Sequence, residues 1–494
     1  MIISRGYIWC KVQATPNEEG WLHRALSVPV SYYYRGRYRT KLRRLYSKRT
    51  KQFAAGLLDR CLKLCAESSV KVQVIEHRSR PAILPSPPEC EHLFYYQKDA
   101  VEAVLKQGNG ILKHATGAGK TEVAVTLACR VDGNTLFLVD EKALREQARD
   151  RWRKITKTPA GVIVGSNFDP RRFTVATLQT LYHRLANGSI PTREFLKSVR
   201  CVIFDEGHIL GAQTYWKVAM SVPAYFRIAL TATPTGRSDQ KDAYVIGATG
   251  PVIHEVTTQE LVDFGRLAVS DVIFYKPPGT QELNTRGWHK TYDKGIVENR
   301  GRNRTICRIC RIAPLPALLF VERKRHGYIL KDMLLEYGFD VEFVWGTHKS
   351  ADRRKYIRRL NSGRMDILIC SKIFNKGVDI PNIRSGINAA GMKGKIPTVQ
   401  KAGRVMRVGE SKTAFVFFDF IDTHHATLLK HSRKRYRQYT REGMNVRIVQ
   451  SLREIREKPE EQVERELVAH NNSLSPLVAP VRAAGTGRRV GIGR

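Results

Sequence analysis

Short apolar runs recur through the middle of the chain, and each gives way to polar residues and then to a helical stretch. Gly110-Ile111-Leu112 leads into Ala115-Thr116-Gly117-Ala118-Gly119-Lys120-Thr121 and then into Glu122-Val123-Ala124-Val125-Thr126-Leu127-Ala128, which has helical composition. Thr135-Leu136-Phe137-Leu138-Val139 precedes a predicted helix over 142–154 that carries Leu144, Gln147 and Trp152. Phe173-Thr174-Val175-Ala176 reads as a strand, with Thr177-Leu178-Gln179-Thr180-Leu181 at the following helix start. Cys201-Val202-Ile203-Phe204 runs into Asp205-Glu206-Gly207-His208, and Arg227-Ile228-Ala229-Leu230 into Thr231-Ala232-Thr233-Pro234. Strands that alternate with helices and end in polar residues predict a doubly wound parallel sheet, with its site at the carboxyl ends.

The two ends of the chain read differently. Residues 1–86 form a separate small α+β unit, with an amphipathic helix over 54–66 and a strand over 70–75; Pro81, Pro85, Pro87 and Pro88 mark its boundary. Within it, Tyr32-Tyr33-Tyr34-Arg35-Gly36-Arg37-Tyr38-Arg39 is followed by Lys41, Arg43, Arg44, Lys48, Arg49 and Lys51. Aromatics interleaved with cations suit a nucleic-acid backbone; a solvated basic face over packed tyrosines has the same signature. At the other end, 448–468 is charged and helical in part, and 474–494 is a basic Ala/Gly/Pro/Arg tail that is expected to be disordered.

Composition narrows the function classes. A chain of 494 residues with 42% apolar content has room for two or three cores. Its 84 Lys+Arg against 46 Asp+Glu leave +38, an excess that points to a polyanionic partner. A membrane surface is the rival partner, but no apolar run approaches the ~20 residues needed to span a bilayer, and no secretory signal is expected. Nine cysteines in mostly apolar contexts suit reduced core thiols in a cytoplasm. Cys307 and Cys310 have metal-ligand spacing but lack a second pair or a histidine partner, so no zinc site is expected there.

The candidate chemistry starts at Lys120. Backbone N–H groups of a glycine loop and helix N-terminus point at phosphates, Lys120 adds a charge, and Thr121 offers a hydroxyl to Mg²⁺. His114 stands where the G-x-x-x-x-G-K-[ST] pattern has its first glycine. Asp205 and Glu206 supply two adjacent carboxylates at a strand end, one to hold Mg²⁺ through its waters and one to orient and deprotonate the attacking water. Gln97, at the start of a helix ahead of the loop, presents the donor and acceptor that complement an adenine edge.

This ordered set, Tyr96-Gln97, the phosphate loop, Thr177-Leu178-Gln179-Thr180-Leu181, Asp205-Glu206-Gly207-His208 and Thr231-Ala232-Thr233-Pro234, resembles superfamily 2 helicases. The second half extends the resemblance through Leu318-Leu319-Phe320-Val321, the run from Asp366 to Ser371, Gly377-Val378-Asp379-Ile380-Pro381 and Gln400-Lys401-Ala402-Gly403-Arg404-Val405-Met406-Arg407. It covers about 93–422. Segments at 250–268 and 296–303 are similar to XPB-like and UvsW-like members, and 417–424 with the basic stretch after it resembles phage branch-migration helicases.

The resemblance implies two RecA-like domains, 87–257 and 258–440, flanked by the 1–86 accessory domain and a 441–494 extension, with ATP in the cleft between the motor domains. Gln97, Thr116, Gly117, Ala118, Gly119, Lys120, Thr121, Gly377 and Asp379 would bind ATP, and Thr121 and Asp205 the Mg²⁺. Glu206, Asp205, Arg404 and Arg407 would be catalytic, the arginines reaching the γ-phosphate from the second domain. Thr177, Gln179, Ser371 and Lys372 would touch DNA, and His208, Thr231, Thr233 and Gln400 would couple nucleotide to strand. The expected function is an ATP-dependent DNA helicase or translocase acting on branched or duplex DNA, as a monomer, in a bacterial or phage-infected cell. An RNA helicase of the same fold, or a basic nucleic-acid-binding protein with a silent motor, is the alternative. No membrane and no small-molecule substrate besides ATP is implied.

Overall fold

The computed structural model describes residues 1–456 apart from 35–36, 91, 141, 233–241, 267–268, 278–281, 347–349, 372–381, 393–413 and 442–443. An eight-stranded sheet forms the first motor unit. Its strands run in the spatial order Asn167–Asp169, Gly161–Val164, Phe173–Thr177, Asn134–Val139, Val199–Asp205, Phe226–Thr231, Asn109–His114 and Val252–Val256. All neighbours are parallel except the first pair, which is a short antiparallel edge. The central strands are buried on both faces because helices cover both sides, which is why their sequences are apolar throughout. Two buried clusters record the two faces. One gathers Val123, Leu127, Phe137, Trp152 and Phe173, and the other Leu138, Ala176, Leu181, Phe204 and Val218.

The second unit repeats the plan with seven parallel strands, in the order Val341–Val344, Ile367–Cys370, Ala317–Phe320, Ser385–Asn388, Ala414–Phe420, Val269–Tyr275 and Asn445–Val449. The last strand lies beyond 440, where the sequence reading ended the second domain, and overlaps the start of 448–468, which was expected to be helical in part. Asn445–Val449 instead pairs with Asp271–Tyr275 at the sheet edge, a partner 174 residues away that no local pattern announces. The only helix described beyond it is Arg453–Arg456. Cys307 and Cys310 lie on helix Arg300–Cys310 in the core of this unit, where burial pushes the Cys307 thiol up to about 11.

Residues 1–86 have their own four-stranded sheet, Gln52–Ala54, Trp9–Gln13, Ile2–Arg5 and Gln73–Glu76, backed by helices Pro16–Ala25 and Leu58–Glu67. The Pro16–Ala25 helix starts with a capping box in which Thr15 and Glu18 bond each other's backbone N–H. This unit is docked on the first motor domain, not merely tethered to it. Its core cluster runs on into Trp216, Met220 and Ile246, and Arg5 Nη2 donates to Asn109 Oδ1 at 2.8 Å. Gly56 is required at the contact, since a Cβ there would lie 2.1 Å from the Ile246 carbonyl oxygen.

A two-stranded hairpin, Ser27–Tyr34 with Arg37–Arg44, extends the tyrosine- and arginine-rich segment. Its register sets Arg43, Lys41 and Arg39 opposite Val28, Val30 and Tyr32, so all six share one face. Val28 and Val30 pack on Ala243 of the first motor domain, while the three cations are exposed and Lys41 Nζ lies 5.2 Å from the centre of the Tyr32 ring. Among the described residues no helix is long and apolar enough to cross a membrane.

Candidate active site

Strand Asn109–His114 delivers the chain to the phosphate loop, and helix Lys120–Arg130 leaves it. The first N–H groups of that helix have no acceptor inside it, which is the physical basis of an anion cradle. The turn is made by Gly117 at φ 98° and Gly119 at φ 74°, and a Cβ on Gly119 would lie 2.2 Å from Gln97 Nε2. His114, in contrast, is the last residue of a buried strand with ordinary backbone, so the position needs no glycine. Its Nε2 lies 3.0 Å from His254 Nδ1; burial, then His254 and Lys120, push its pKa down to about 3 and keep the ring neutral. The Lys120 amine folds back on the loop, donating to the carbonyls of His114 at 3.3 Å and Ala115 at 3.4 Å.

Gln97 is buried and already occupied. Its Nε2 donates to the Ala118 carbonyl at 2.9 Å and its Oε1 accepts from the Phe94 N–H at 3.1 Å. The side chain thus braces the loop from helix Tyr95–Gln107. Beside it runs an aromatic stack that the sequence reading missed. Tyr96 stacks on Phe94 and on Phe264, each at 5.8 Å between centroids, and the Arg266 guanidinium covers the Phe94 ring at 3.5 Å. Phe264 and Arg266 come from the segment joining the motor units, and the only signal in the sequence was the density of aromatics at 94–96.

The acidic pair lies two strands away on the same carboxyl edge. Asp205 ends strand Val199–Asp205, and Glu206 takes a left-handed conformation at φ 51°, one of four non-glycine residues with positive φ among those described. Such strain in a non-glycine residue persists only where the surroundings impose it. Burial, with the Glu206 charge adding to it and Lys120 opposing, pushes the Asp205 carboxyl up to about 6. His208 Nδ1 lies 3.2 Å from Glu206 Oε2 and 3.2 Å from the hydroxyl of Thr231, at the end of the neighbouring strand. The expected trio Glu206, His208 and Thr231 is therefore brought together in one place.

Burial and the adjacent Glu206 charge hold the Asp205 carboxyl above its usual range, and its donor set with the Thr121 hydroxyl is all oxygen. That combination fits Mg²⁺. A metal ion there would neutralise the Asp205 carboxylate and phosphate oxygens at once.

The expected strand contacts divide. Thr177 is buried and its hydroxyl caps helix Leu178–Ala186, accepting from the Thr180 N–H at 3.2 Å. Gln179 is exposed and lines, with His183, Arg184 and Asn187, a polar cavity of about 320 Å³. Ser371 is buried just after strand Ile367–Cys370. Thr233, Lys372, Gly377, Asp379, Gln400, Arg404 and Arg407 lie outside the described residues.

Two parallel-sheet units in series, the first with a phosphate loop at its carboxyl edge, are the plan of a RecA-like motor. Residues 91–236 match the family of the type III restriction enzyme res subunit, and residues 302–409 match the helicase conserved C-terminal domain. With these two matches in this order, the chain belongs to superfamily 2 of helicases, alongside proteins named XPB, Rad25 and UvsW. It is 24% identical over 362 residues to a protein of Sulfurisphaera tokodaii named DNA 3'-5' translocase XPB2, covering 65% of this chain and 80% of that one. It is 25% identical over 389 residues to the ATP-dependent DNA helicase uvsW of Enterobacteria phage T4, covering 71% and 76%. Among solved structures, Saccharomyces cerevisiae Dbp5 bound to RNA and ADP BeF3 shares the fold, with a TM-score of 0.51 at 17% identity over 79% of this chain and 98% of that one. The chain spans 63%, 50% and 57% of the length of a viral and two haloarchaeal relatives.

Proposed function

We propose that the chain is an ATP-dependent DNA helicase or translocase that acts, as a monomer, on branched or duplex DNA during recombination, repair or replication in a bacterial or phage-infected cell. The relatives named as DNA helicases or translocases support the DNA assignment, and so does the net charge of +38. The observation that carries the motor reading is the linkage of Glu206 through His208 to Thr231, on the sheet edge that also bears Lys120.

In this reading the Lys120 amine leaves the loop carbonyls for the β- and γ-phosphates, Thr121 and Asp205 hold Mg²⁺, and Glu206 takes the proton of the attacking water. Arg404 and Arg407 complete the site from the second domain, so turnover requires the two units to close. His208 and Thr231 transmit the state of Glu206 to the groove lined by Gln179, where the strand is held. Lys372 on the other unit provides the alternate grip.

Lys120→Ala and Glu206→Gln each lower DNA-stimulated ATP hydrolysis by about 10²–10⁴-fold while DNA binding persists. Hydrolysis at the normal rate in either variant overturns the site assignment. Stimulation by RNA, but by neither single-stranded DNA nor a four-way junction, overturns the DNA assignment.

A further inference from the structure

Strand Val252–Val256 ends the order of the first sheet and pairs with the strand that delivers the chain to the phosphate loop. The pairing slips by one residue. Val252 stands opposite Ile111, yet His254, two residues on, stands opposite Leu112. Ile253 is the extra residue, and it tucks over Gly110, where a Cβ would lie 2.5 Å from its Cγ2. A one-residue slip moves every later side chain of a strand to the other face. Without it His254 would share a face with Lys113. With it His254 shares the face of Leu112 and His114, and Glu255 that of Lys113. Both pairs are then made: His254 Nδ1 lies 3.0 Å from His114 Nε2, and Lys113 Nζ donates to Glu255.

The slip matters because of what His114 carries. Its carbonyl and that of Ala115 hold the Lys120 amine, and the Ala115 N–H donates to the Val256 carbonyl at 2.9 Å. The edge strand thus pins the entry to the loop twice, at the His114 ring and at the Ala115 backbone. His114 is fully buried, and its Nδ1 has no hydrogen-bond partner among the described residues. A buried N–H without an acceptor is costlier than a bare lone pair, so the hydrogen-bond network puts the His114 proton on Nε2, which donates to His254 Nδ1. The His254 proton is then on its own Nε2. Burial holds His254 below its ordinary pKa and keeps the ring neutral, with Asp99 and Glu260 opposing.

We infer that His254 is a positioning residue for the nucleotide site: its Nδ1 accepts from His114 and holds the loop entry in its phosphate-binding shape once Lys120 has left the loop carbonyls. This deepens the motor reading above and rests on it. When the Lys120 amine moves to the β- and γ-phosphates, the His114 and Ala115 carbonyls lose their donor. The entry then keeps its course through the contacts of the edge strand. His254 acts through His114 and not on the nucleotide itself. A loop that cradles phosphates does so in the ground state and the transition state alike, so its bracing is felt in nucleotide affinity and not in kcat.

The test uses the full chain, with ADP and Mg²⁺ in titration calorimetry and ATP in steady-state hydrolysis on single-stranded DNA. His254 is half-buried on an edge strand, so His254→Leu keeps the bulk and the fold and removes only the acceptor. It weakens ADP binding and raises KM for ATP by about fivefold each, as the loss of one buried hydrogen bond implies, with kcat within about twofold of wild type. His254→Asn sets Oδ1 where Nδ1 stood and restores both. A role confined to the fold lowers the fraction of active protein instead, which moves kcat and the calorimetric stoichiometry but neither KM nor the ADP dissociation constant. The proposal falls if His254→Leu leaves ADP affinity and KM unchanged, if its loss is confined to kcat and stoichiometry, or if His254→Asn behaves as His254→Leu does. None of these results touches the motor reading, which falls if Lys120→Ala and Glu206→Gln hydrolyse ATP at the wild-type rate.

Discussion

Asp205 and Asp419 both stand near the carboxyl ends of strands in the two motor sheets, and their surroundings are opposite. Asp419 is fully buried and fully matched. Arg435 reaches it through Nε at 3.0 Å and Nη2 at 2.9 Å, the Tyr439 hydroxyl donates at 3.1 Å, and Asn388 Nδ2 at 2.9 Å. A second buried pair, Arg302 Nε to Asp422 Oδ1 at 2.7 Å, sits beside it. Asp205 has a second acid as its chain neighbour, and that neighbour is backbone-strained. Matched charges fasten the helix Ala426–Arg441 to its sheet, so Arg435, which reads in the sequence as one more member of a basic stretch, is a structural residue. In the first sheet, burial and the neighbouring Glu206 charge push the Asp205 carboxyl up to about 6 where a nucleotide and its metal would arrive, with Lys120 and His208 opposing only in part. A buried acid bonded directly to its cation holds a fold together; one held at a raised pKa on a strand end beside a phosphate loop is a candidate site.

The contrast can be broken from either side. Asp419→Ala leaves Arg435 buried and unpaired and lowers unfolding stability by about 3–5 kcal/mol in urea titrations. Asp205→Asn acts in the opposite direction: it removes a costly carboxylate and raises the stability of the ligand-free protein by about 1–3 kcal/mol, while abolishing turnover. Equal destabilisation by the two changes would show that both acids are structural.

A smaller effect tests what the two units share, since each buries a neutral histidine. His326 lies with Nε2 3.0 Å from Asn303 Oδ1, and burial, with the Arg302 charge added, pushes it down to about 3, as His114 is pushed in the first unit. The unfolded chain protonates these rings near 6.5, whereas the folded chain keeps them neutral to about 3. Stability is therefore complete above 6.5 and falls with pH below it, by about 1.4 kcal/mol per pH unit for each ring. His326→Gln removes its own share of that slope, about 1.4 kcal/mol per pH unit between pH 6 and about 4.5, in denaturation measured at several pH values; an unchanged slope refutes the assignment to this ring.

Much of the first unit was legible because its signals are local. Apolar strands, the glycine turn and the acidic pair each occupy a few consecutive residues, and their backbone chemistry follows from residue type. Gln97 was visible as a polar residue at a helix start, but its two bonds to Phe94 and Ala118 depend on where the loop folds back. Strand Asn445–Val449 was missed because its partner lies across the sheet. The bond between His114 and His254 was not legible at all, since the two lie 140 residues apart and share a face only through a slip in strand pairing.

By itself, the sequence determined the order of strands and helices and the residues able to hold phosphate, metal and water, because burial pattern and turn chemistry are written over short spans. The tertiary structure alone decided which charges are matched, since Asp419 meets Arg435 16 residues away and Asp422 meets Arg302 120 residues away only once the helices pack on the sheet. It also decided that His114 needs no glycine's freedom, because the strand runs straight through it and the loop turns only at Gly117 and Gly119.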